Sequence, residues 1–286
     1  MAQTFVNGLL LGSDYALLAI GYTLVFGVTR LLTLAHGQIF MLSAVAALLA
    51  MSHWGISFPL AVGVGLVVGM AAGVATDVVC FRPIAGTAPF SAAVATIGFG
   101  LIIQNGVVAL HGSDPIALPS DVGATDFHIG PFLISGAQLG MLILAFVLML
   151  AIQWFVRRTV WGAALRGMAE SHSSIQLCGV NPKTLSTLVL AASGALAAAA
   201  SALVALRIGS VSPFSGLEVG LIGLAIMTIA GMGSVTGAML AGLAVGMAQV
   251  YAEYYGFGGF EPAIPWILVV IVLLVRPEGL FGRSVR

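Results

Sequence analysis

Charged side chains are scarce in this sequence. Only 7% of its 286 residues are Asp, Glu, Lys or Arg, and Lys183 is the single lysine. A water-soluble domain carries roughly 25% charged residues, so the composition excludes the soluble fold classes. The hydrophobic residues, 60% of the chain, form long unbroken runs instead of the alternating segments of a membrane β-barrel. We therefore predict an all-α, polytopic membrane protein.

Signatures of catalysis and of bound cofactors are missing as well. No glycine-rich phosphate loop precedes the single lysine, which excludes an ATP site in this chain. Cys80 and Cys178 are far apart, and no Cys/His spacing typical of a metal site occurs. We expect no enzyme activity, no metal, no cofactor in this chain and no nucleic-acid partner. The amino terminus has no basic segment, so we expect the first apolar run to remain as a helix.

Nine apolar runs are interpreted as membrane segments when about 20 residues are allowed per crossing. The seventh and eighth runs flank a Gly-Met-Gly-Ser turn at Gly231–Ser234, and the count falls to eight if this region is one bent or re-entrant unit. We expect eight to nine transmembrane helices in a single membrane domain that covers residues 1–286. The runs are Thr4–Val28, Leu32–Met51, Phe58–Val79, Pro89–Leu110, Gly136–Val156, Leu185–Leu206, Leu217–Ile229, Val235–Tyr251 and Gly256–Val275.

The distribution of basic residues predicts the orientation. With nine helices, nine of the ten basic residues fall on one side of the membrane, and Arg207 is the exception. Lys and Arg are enriched in cytoplasmic loops, so this side is predicted to be cytoplasmic. The amino terminus is then outside and the carboxyl terminus cytoplasmic. The loop at residues 111–135 has no Lys or Arg and is predicted to be extracytoplasmic.

One long polar stretch, Arg157–Lys183, interrupts the apolar pattern. It is too polar to cross a membrane, and its scattered apolar residues predict two short amphipathic helices. Ser171, Ser173 and Ser174 can cap the second helix, and Gly179 can end it. Asn181-Pro182 suits the N-cap and first turn of the next membrane helix. The alternative interpretation is a solvated loop with helical turns.

Polar side chains within apolar runs are functional candidates by default. A charge at Asp14 costs on the order of 3 kcal/mol unless it is paired or hydrated, so Asp14 belongs to a pathway or to an internal hydrogen-bond network. His36 can pair with Asp14, line the pathway or cap its helix. Gln104 and Asn105 can join helices or contact a solute. The candidate pathway residues are Asp14, Tyr15, Tyr22, His36, Gln38, Gln104 and Asn105.

Four segments in order along the chain resemble the permeases of branched-chain amino acid ABC transporters. They are Asn7–Ala44, Arg158–Leu203, Gly231–Gly246 and Arg276–Arg283. The resemblance is to the first-permease type, with urea and amide permeases as close relatives. It implies a type II-like ABC importer permease bundle in a bacterial inner membrane. The substrate stays open, because the sequence Ser171–Ser174 departs from the acidic and alanine-rich residues more frequent in the family.

The resemblance also implies partners and a mechanism. These are a second permease, homologous or identical, two cytoplasmic ATPases that bind ATP-Mg, and a periplasmic solute-binding protein, with transport by alternating access. The loop at residues 157–184 is then the segment that couples the permease to the ATPases. The alternative is a stand-alone secondary transporter or channel, with Asp14 and His36 as an ion relay. The implied coupling residues are Arg166, Ala169, Glu170, Ser174, Gly179 and Asn181.

Overall fold

Helices dominate the computed structural model, and the all-α prediction is confirmed. The structure describes residues 2–84, 89–119, 126–129, 132–170, 175–176 and 179–282. The helices are α1 Ala2–Thr29, α2 His36–Trp54, α3 Phe58–Thr76, α4 Pro89–His111, α5 Gly136–Arg158, α6 Val160–Glu170, α7 Pro182–Ile208, α8 Ser215–Ala230, α9 Val235–Ala252 and α10 Ile264–Val275.

Seven helical stretches in the described part of the chain are long and apolar enough to cross a membrane. All nine predicted apolar runs occur as helices, but α9 and α10 belong to one stretch, Val235–Val275, and α8 has only 16 residues. The stretch is broken at Gly256, where φ is 88°. The number of membrane crossings therefore depends on the break at Gly256 as well as on the turn before α9, which was the only uncertain region in the sequence-based count.

Small residues bring the central helices into backbone contact. Helices α1 and α9 run antiparallel, and a Cβ on Gly12 would lie 2.8 Å from Cα of Leu243. One turn further along α1, a Cβ on Gly242 would lie 2.5 Å from Cα of Ala16. Helices within lipid are held together chiefly by close van der Waals packing, and small residues allow it. The glycine strips of α1 and α9 thus build the centre of the bundle.

Short strands join helix ends at one end of the bundle. Strand β1 (Ile116–Ala117) pairs antiparallel with β4 (Ser210–Val211), so the chain after α4 meets the chain after α7. Strands β2 (Asp126–Ile129) and β3 (Phe132–Ser135) form a hairpin within the loop at residues 111–135. This loop and the end of α7 therefore share one end of the molecule.

The opposite end of the bundle gathers the basic residues. Arg30 follows α1 and reaches α6, and Nη2 of Arg157 donates to Oγ1 of Thr236 at 2.8 Å. Residues 280–281 of the tail return to the same end, where their N–H groups donate to the last carbonyls of α8. The described basic residues lie at this end, with Arg207 as the exception.

Candidate functional site

Two glutamines from different helices line a cavity of 170 Å³ between α2, α4 and α8. Nε2 of Gln38 in α2 donates to Oε1 of Gln104 in α4 at 2.9 Å. The walls are mostly apolar with a small polar patch, which is typical of a site for a small amphipathic solute. We call this site the amide pocket. Its lining residues are Tyr22, Leu34, Gln38, Ile97, Gly100, Leu101, Gln104, Leu217, Gly220 and Leu221.

One polar atom of Gln38, which lines the amide pocket, has no hydrogen-bond partner among the described residues. This atom is Oε1, and the Gln38 side chain is only 4% exposed. An unpaired buried acceptor costs about 1–3 kcal/mol, so a solute that donates to this oxygen would remove that penalty. Exchanging the amide nitrogen and oxygen would place a donor there instead, so the position is polar in either orientation.

Helices α2 and α8 begin beside the amide pocket and touch without side chains between them. A Cβ on Gly37 would lie 2.6 Å from Cα of Gly220, and one on Gly216 would lie 2.6 Å from Oε1 of Gln38. The first N–H groups of a helix lack partners within the helix and carry partial positive charge. These two helix starts can accommodate the carboxylate of a small solute.

His36 is the first residue of α2, but it does not cap the helix. The N-cap position belongs to Ala35, and no side chain caps it, so the predicted capping role is wrong. The His36 ring is 1% exposed, lies edge-on to Tyr22 with a 4.6 Å centroid distance, and has Nδ1 3.2 Å from Oγ of Ser193. His36 therefore packs between α1 and α7 behind the amide pocket.

Asp14 pairs with Arg207 and not with His36. Oδ2 of Asp14 accepts from Nε of Arg207 at 3.2 Å, which joins α1 to the last turn of α7. The Asp14 side chain is 4% exposed and that of Arg207 is 33% exposed. The sequence had marked both residues separately, as an isolated charge in an apolar run and as the exception to the charge bias. Their pairing was missed, although an isolated acid and an isolated base on the same side were the available signal.

Two other candidates lie away from the amide pocket. Tyr15 is buried next to Asp14, so it belongs to the α1 core around that ion pair. Nδ2 of Asn105 donates to the carbonyl oxygen of Leu101 in its own helix at 2.8 Å, on an exposed face. The seven pathway candidates therefore divide, and Tyr22, Gln38 and Gln104 are the three that the structure brings together.

The polar stretch contains the first of the two predicted amphipathic helices. Oγ1 of Thr159 accepts from the N–H of Gly162 at 3.0 Å and so caps α6. One face of α6, with Leu165 and Met168, is buried, and Arg166 on the other face is exposed. The Arg166 guanidinium donates to the carbonyl oxygen of Val156 at the end of α5. These contacts hold α6 against the bundle as a short, separate helix.

The end of the polar stretch follows its predicted capping chemistry. Gly179 has φ of 78°, its N–H donates to the carbonyl of Gln176, and the next N–H donates to the carbonyl of Ile175. This is the hydrogen-bond pattern of a Schellman helix end. Oδ1 of Asn181 accepts from the N–H of Lys183 at 3.0 Å and caps α7. Ser171–Ser174 and the Glu170 side chain lie outside the described residues.

A second buried carboxylate lies at the basic end of the bundle. Asp77 is 2% exposed and stands in the π-helical turn Asp77–Phe81 that continues α3. It accepts from Arg82 at 3.1 Å, from Ser186 at 2.8 Å and from Thr187 at 2.6 Å. Three donors therefore bind Asp77 between α3 and α7.

A family model and similar proteins agree on the kind of protein. The model described as "Branched-chain amino acid transport system / permease component" matches residues 4–275. The high-affinity branched-chain amino acid transport system permease protein BraD of Pseudomonas aeruginosa is 31% identical over 98% of this chain and 95% of its own length. The corresponding protein LivH of Escherichia coli strain K12 is 32% identical, with the same coverage of both chains.

A solved structure has a similar fold at much lower sequence identity. It is the structure of PsaBC from Streptococcus pneumoniae in complex with Fab, and it matches with a TM-score of 0.54 at 11% identity. The match covers 95% of this chain and 91% of the other. At this identity the likeness concerns the arrangement of helices alone.

Proposed function

The chain belongs to the family of branched-chain amino acid transport permease components, and on this basis we propose that it forms half of the translocation pathway of an ATP-driven ABC importer. The solute is a branched-chain amino acid or a related small polar compound, and the mechanism is alternating access. The observation that carries this proposal is the family match, which extends over nearly the whole bundle.

The basic end of the bundle faces the cytoplasm in this proposal, since Lys and Arg are enriched on that side of membranes. The amino terminus is then outside and the carboxyl terminus inside. Two ATPase subunits, which bind ATP-Mg, dock on residues 157–184, and a periplasmic solute-binding protein docks at residues 111–135. A second permease, identical or homologous, completes the pathway. The ATPase contact residues are Arg166, Ala169, Glu170, Ser174, Gly179 and Asn181.

The amide pocket is the proposed solute contact of this half of the pathway. The ammonium group of an amino acid can donate to the free oxygen of Gln38, and its carboxylate can lie at the starts of α2 and α8. The apolar walls, with Ile97 and Leu101, suit an aliphatic side chain. Weak binding is sufficient here, because the solute-binding protein selects the substrate before the permease receives it.

The stand-alone transporter has no support from the two residues on which it depended. Asp14 binds Arg207 and His36 lies against Ser193, and among the described residues no hydrogen bond connects Asp14 to His36. Reconstitution separates the two functions. We expect liposomes with the full importer and internal ATP to accumulate leucine when the solute-binding protein is outside, and liposomes with this chain alone to show no uptake. Uptake by this chain without ATPases would support the alternative.

A substitution in the amide pocket tests the proposed contact. Gln38→Leu removes one hydrogen bond to the solute, and a loss of about 1.4 kcal/mol lowers the uptake rate about tenfold. Asn105→Leu is the matched control, since its amide lies on an exposed face outside the pocket, and it should transport at the wild-type rate. Equal rates for both variants, with equal amounts of assembled importer, would place the solute contact elsewhere.

A further inference from the structure

Arg30 adopts an unusual backbone conformation directly after α1. Its φ is 55°, and it is the one non-glycine residue with positive φ in the described part of the chain. L-amino acids with a Cβ rarely adopt this left-handed region, so such a residue has to be held there by its surroundings. Its N–H donates to the carbonyl of Phe26 at 2.9 Å and closes the last turn of α1.

The Arg30 side chain binds the end of α6. Both Nη2 and Nε donate to the carbonyl oxygen of Ala169, at 2.6 and 3.1 Å. Ala169 is the next-to-last residue of α6, where carbonyl groups have no partner within the helix and carry partial negative charge. A guanidinium is well suited to this position, since its fixed fork of donors and its charge both match it. The left-handed backbone thus directs the Arg30 guanidinium to the carboxyl-terminal end of α6.

From Arg30 the chain leads directly into the amide pocket. Residues 31–35 link α1 to α2, and they are pinned at both ends. The N–H of Leu31 donates to Oγ1 of Thr29 at 3.2 Å, and the N–H of Leu34 donates to Oγ1 of Thr96 in α4 at 3.0 Å. Leu34 lines the pocket, and α2 begins two residues later. A displacement of Arg30 therefore reaches both helices that carry the pocket amides.

We propose that Arg30 is a positioning residue that transmits movement of α6 to the amide pocket through residues 31–35. The proposal rests on the function above, in which the ATPases move α6. Apolar packing also joins α6 to α1, where Leu24 and Leu165 line one cavity, while the polar contacts of α6 and its neighbours lead to other helices. Arg166 binds the end of α5, and the Asp77 cluster binds α7 to α3. Coupling between distant sites requires an element that both sites bias, and Arg30 connects the end of α6 to the segment that contributes Leu34 to the amide pocket.

The test compares transport with ATP hydrolysis in the complete importer. In proteoliposomes, we expect Arg30→Ala to lower leucine uptake per ATP hydrolysed about tenfold, a typical effect for a coupling residue, while ATP hydrolysis stays near the wild-type rate. Arg30→Lys keeps the charge but loses the fork and should be intermediate. Arg276→Ala, an exposed arginine at the same end but outside residues 157–184, is the control and should leave the ratio unchanged. A wild-type ratio in Arg30→Ala overturns the proposal.

A second measurement separates transmission from a purely structural role. Leu34→Cys, in a chain with Cys80→Ser and Cys178→Ser, reports the accessibility of the pocket to a thiol reagent. Trapping the ATPases with ATP and vanadate should change the labelling rate, and Arg30→Ala should abolish that change while the complex stays assembled. A change of wild-type size in the Ala variant overturns the proposal. Absence of ATP-dependent uptake by the wild-type complex would instead overturn the proposed function.

Discussion

Two buried aspartates bind α7 at its two ends, and they are bound very differently. Asp77 joins the start of α7 to α3 and accepts from an arginine and two hydroxyl groups. Asp14 joins the last turn of α7 to α1 and has Arg207 as its described partner. Both carboxylates are almost completely buried, at 2% and 4% exposed. The number of donors, and not the depth, distinguishes them.

The difference indicates which end of α7 is the fixed one. A buried charge is tolerated when hydrogen bonds satisfy most of its lone pairs, and it is costly when they do not. Asp77 meets that condition, so the α3–α7 contact is a rigid joint next to residues 157–184. Asp14 depends on one partly exposed arginine, so the α1–α7 contact can separate at a lower cost. An alternating-access cycle needs both kinds of contact.

The largest loss of stability is expected when the α3–α7 contact at Asp77 is removed. Asp77→Ala leaves Arg82, Ser186 and Thr187 without their shared acceptor, and we expect the free energy of unfolding to fall by about 3 kcal/mol. Denaturant unfolding of the chain in detergent measures it. Asp77→Asn, which keeps one acceptor oxygen, should lose less than half as much. If both variants are equally stable to unfolding, the cluster is not the anchor that its geometry indicates.

Local capping chemistry was the part of this fold that the sequence could predict well. Gly179 ends a helix turn and Asn181 caps α7 because each residue acts on backbone groups within a few positions of itself. The long apolar runs were equally predictable, since a membrane-crossing helix is recognised by its length and composition. These features needed no knowledge of which helices are neighbours.

Contacts between distant helices could not be predicted in the same way. Asp14 and Arg207 are 193 residues apart, and glycine strips on several helices allow many alternative neighbours and registers. The left-handed backbone of Arg30 and the π-helical turn at Asp77 have no sequence signal in a single chain, yet each decides where a side chain points. The amide pocket was foreseen only as separate residues, because α2, α4 and α8 meet there through packing.

A smaller effect is expected at the weaker contact, and it should depend on which partner is removed. Arg207→Ala leaves a buried carboxylate without a described partner, and we expect a loss of about 2 kcal/mol in the free energy of unfolding. Adding Asp14→Asn to that variant should recover about half of the loss, because a neutral amide is cheaper to bury than a charge. Asp14→Asn alone should cost little, since Arg207 is one-third exposed. No recovery in the double variant would mean that the pair is not coupled.

The smallest loss of stability is expected when Arg82, the arginine that binds Asp77, is replaced. Arg82 is 43% exposed, so solvent screens its charge, and its removal still leaves Ser186 and Thr187 to donate to Asp77. We therefore expect Arg82→Ala to lower the free energy of unfolding by about 1 kcal/mol, less than Arg207→Ala under the same conditions. The reverse order would show that the number of donors does not decide how well a buried aspartate tolerates the loss of its arginine.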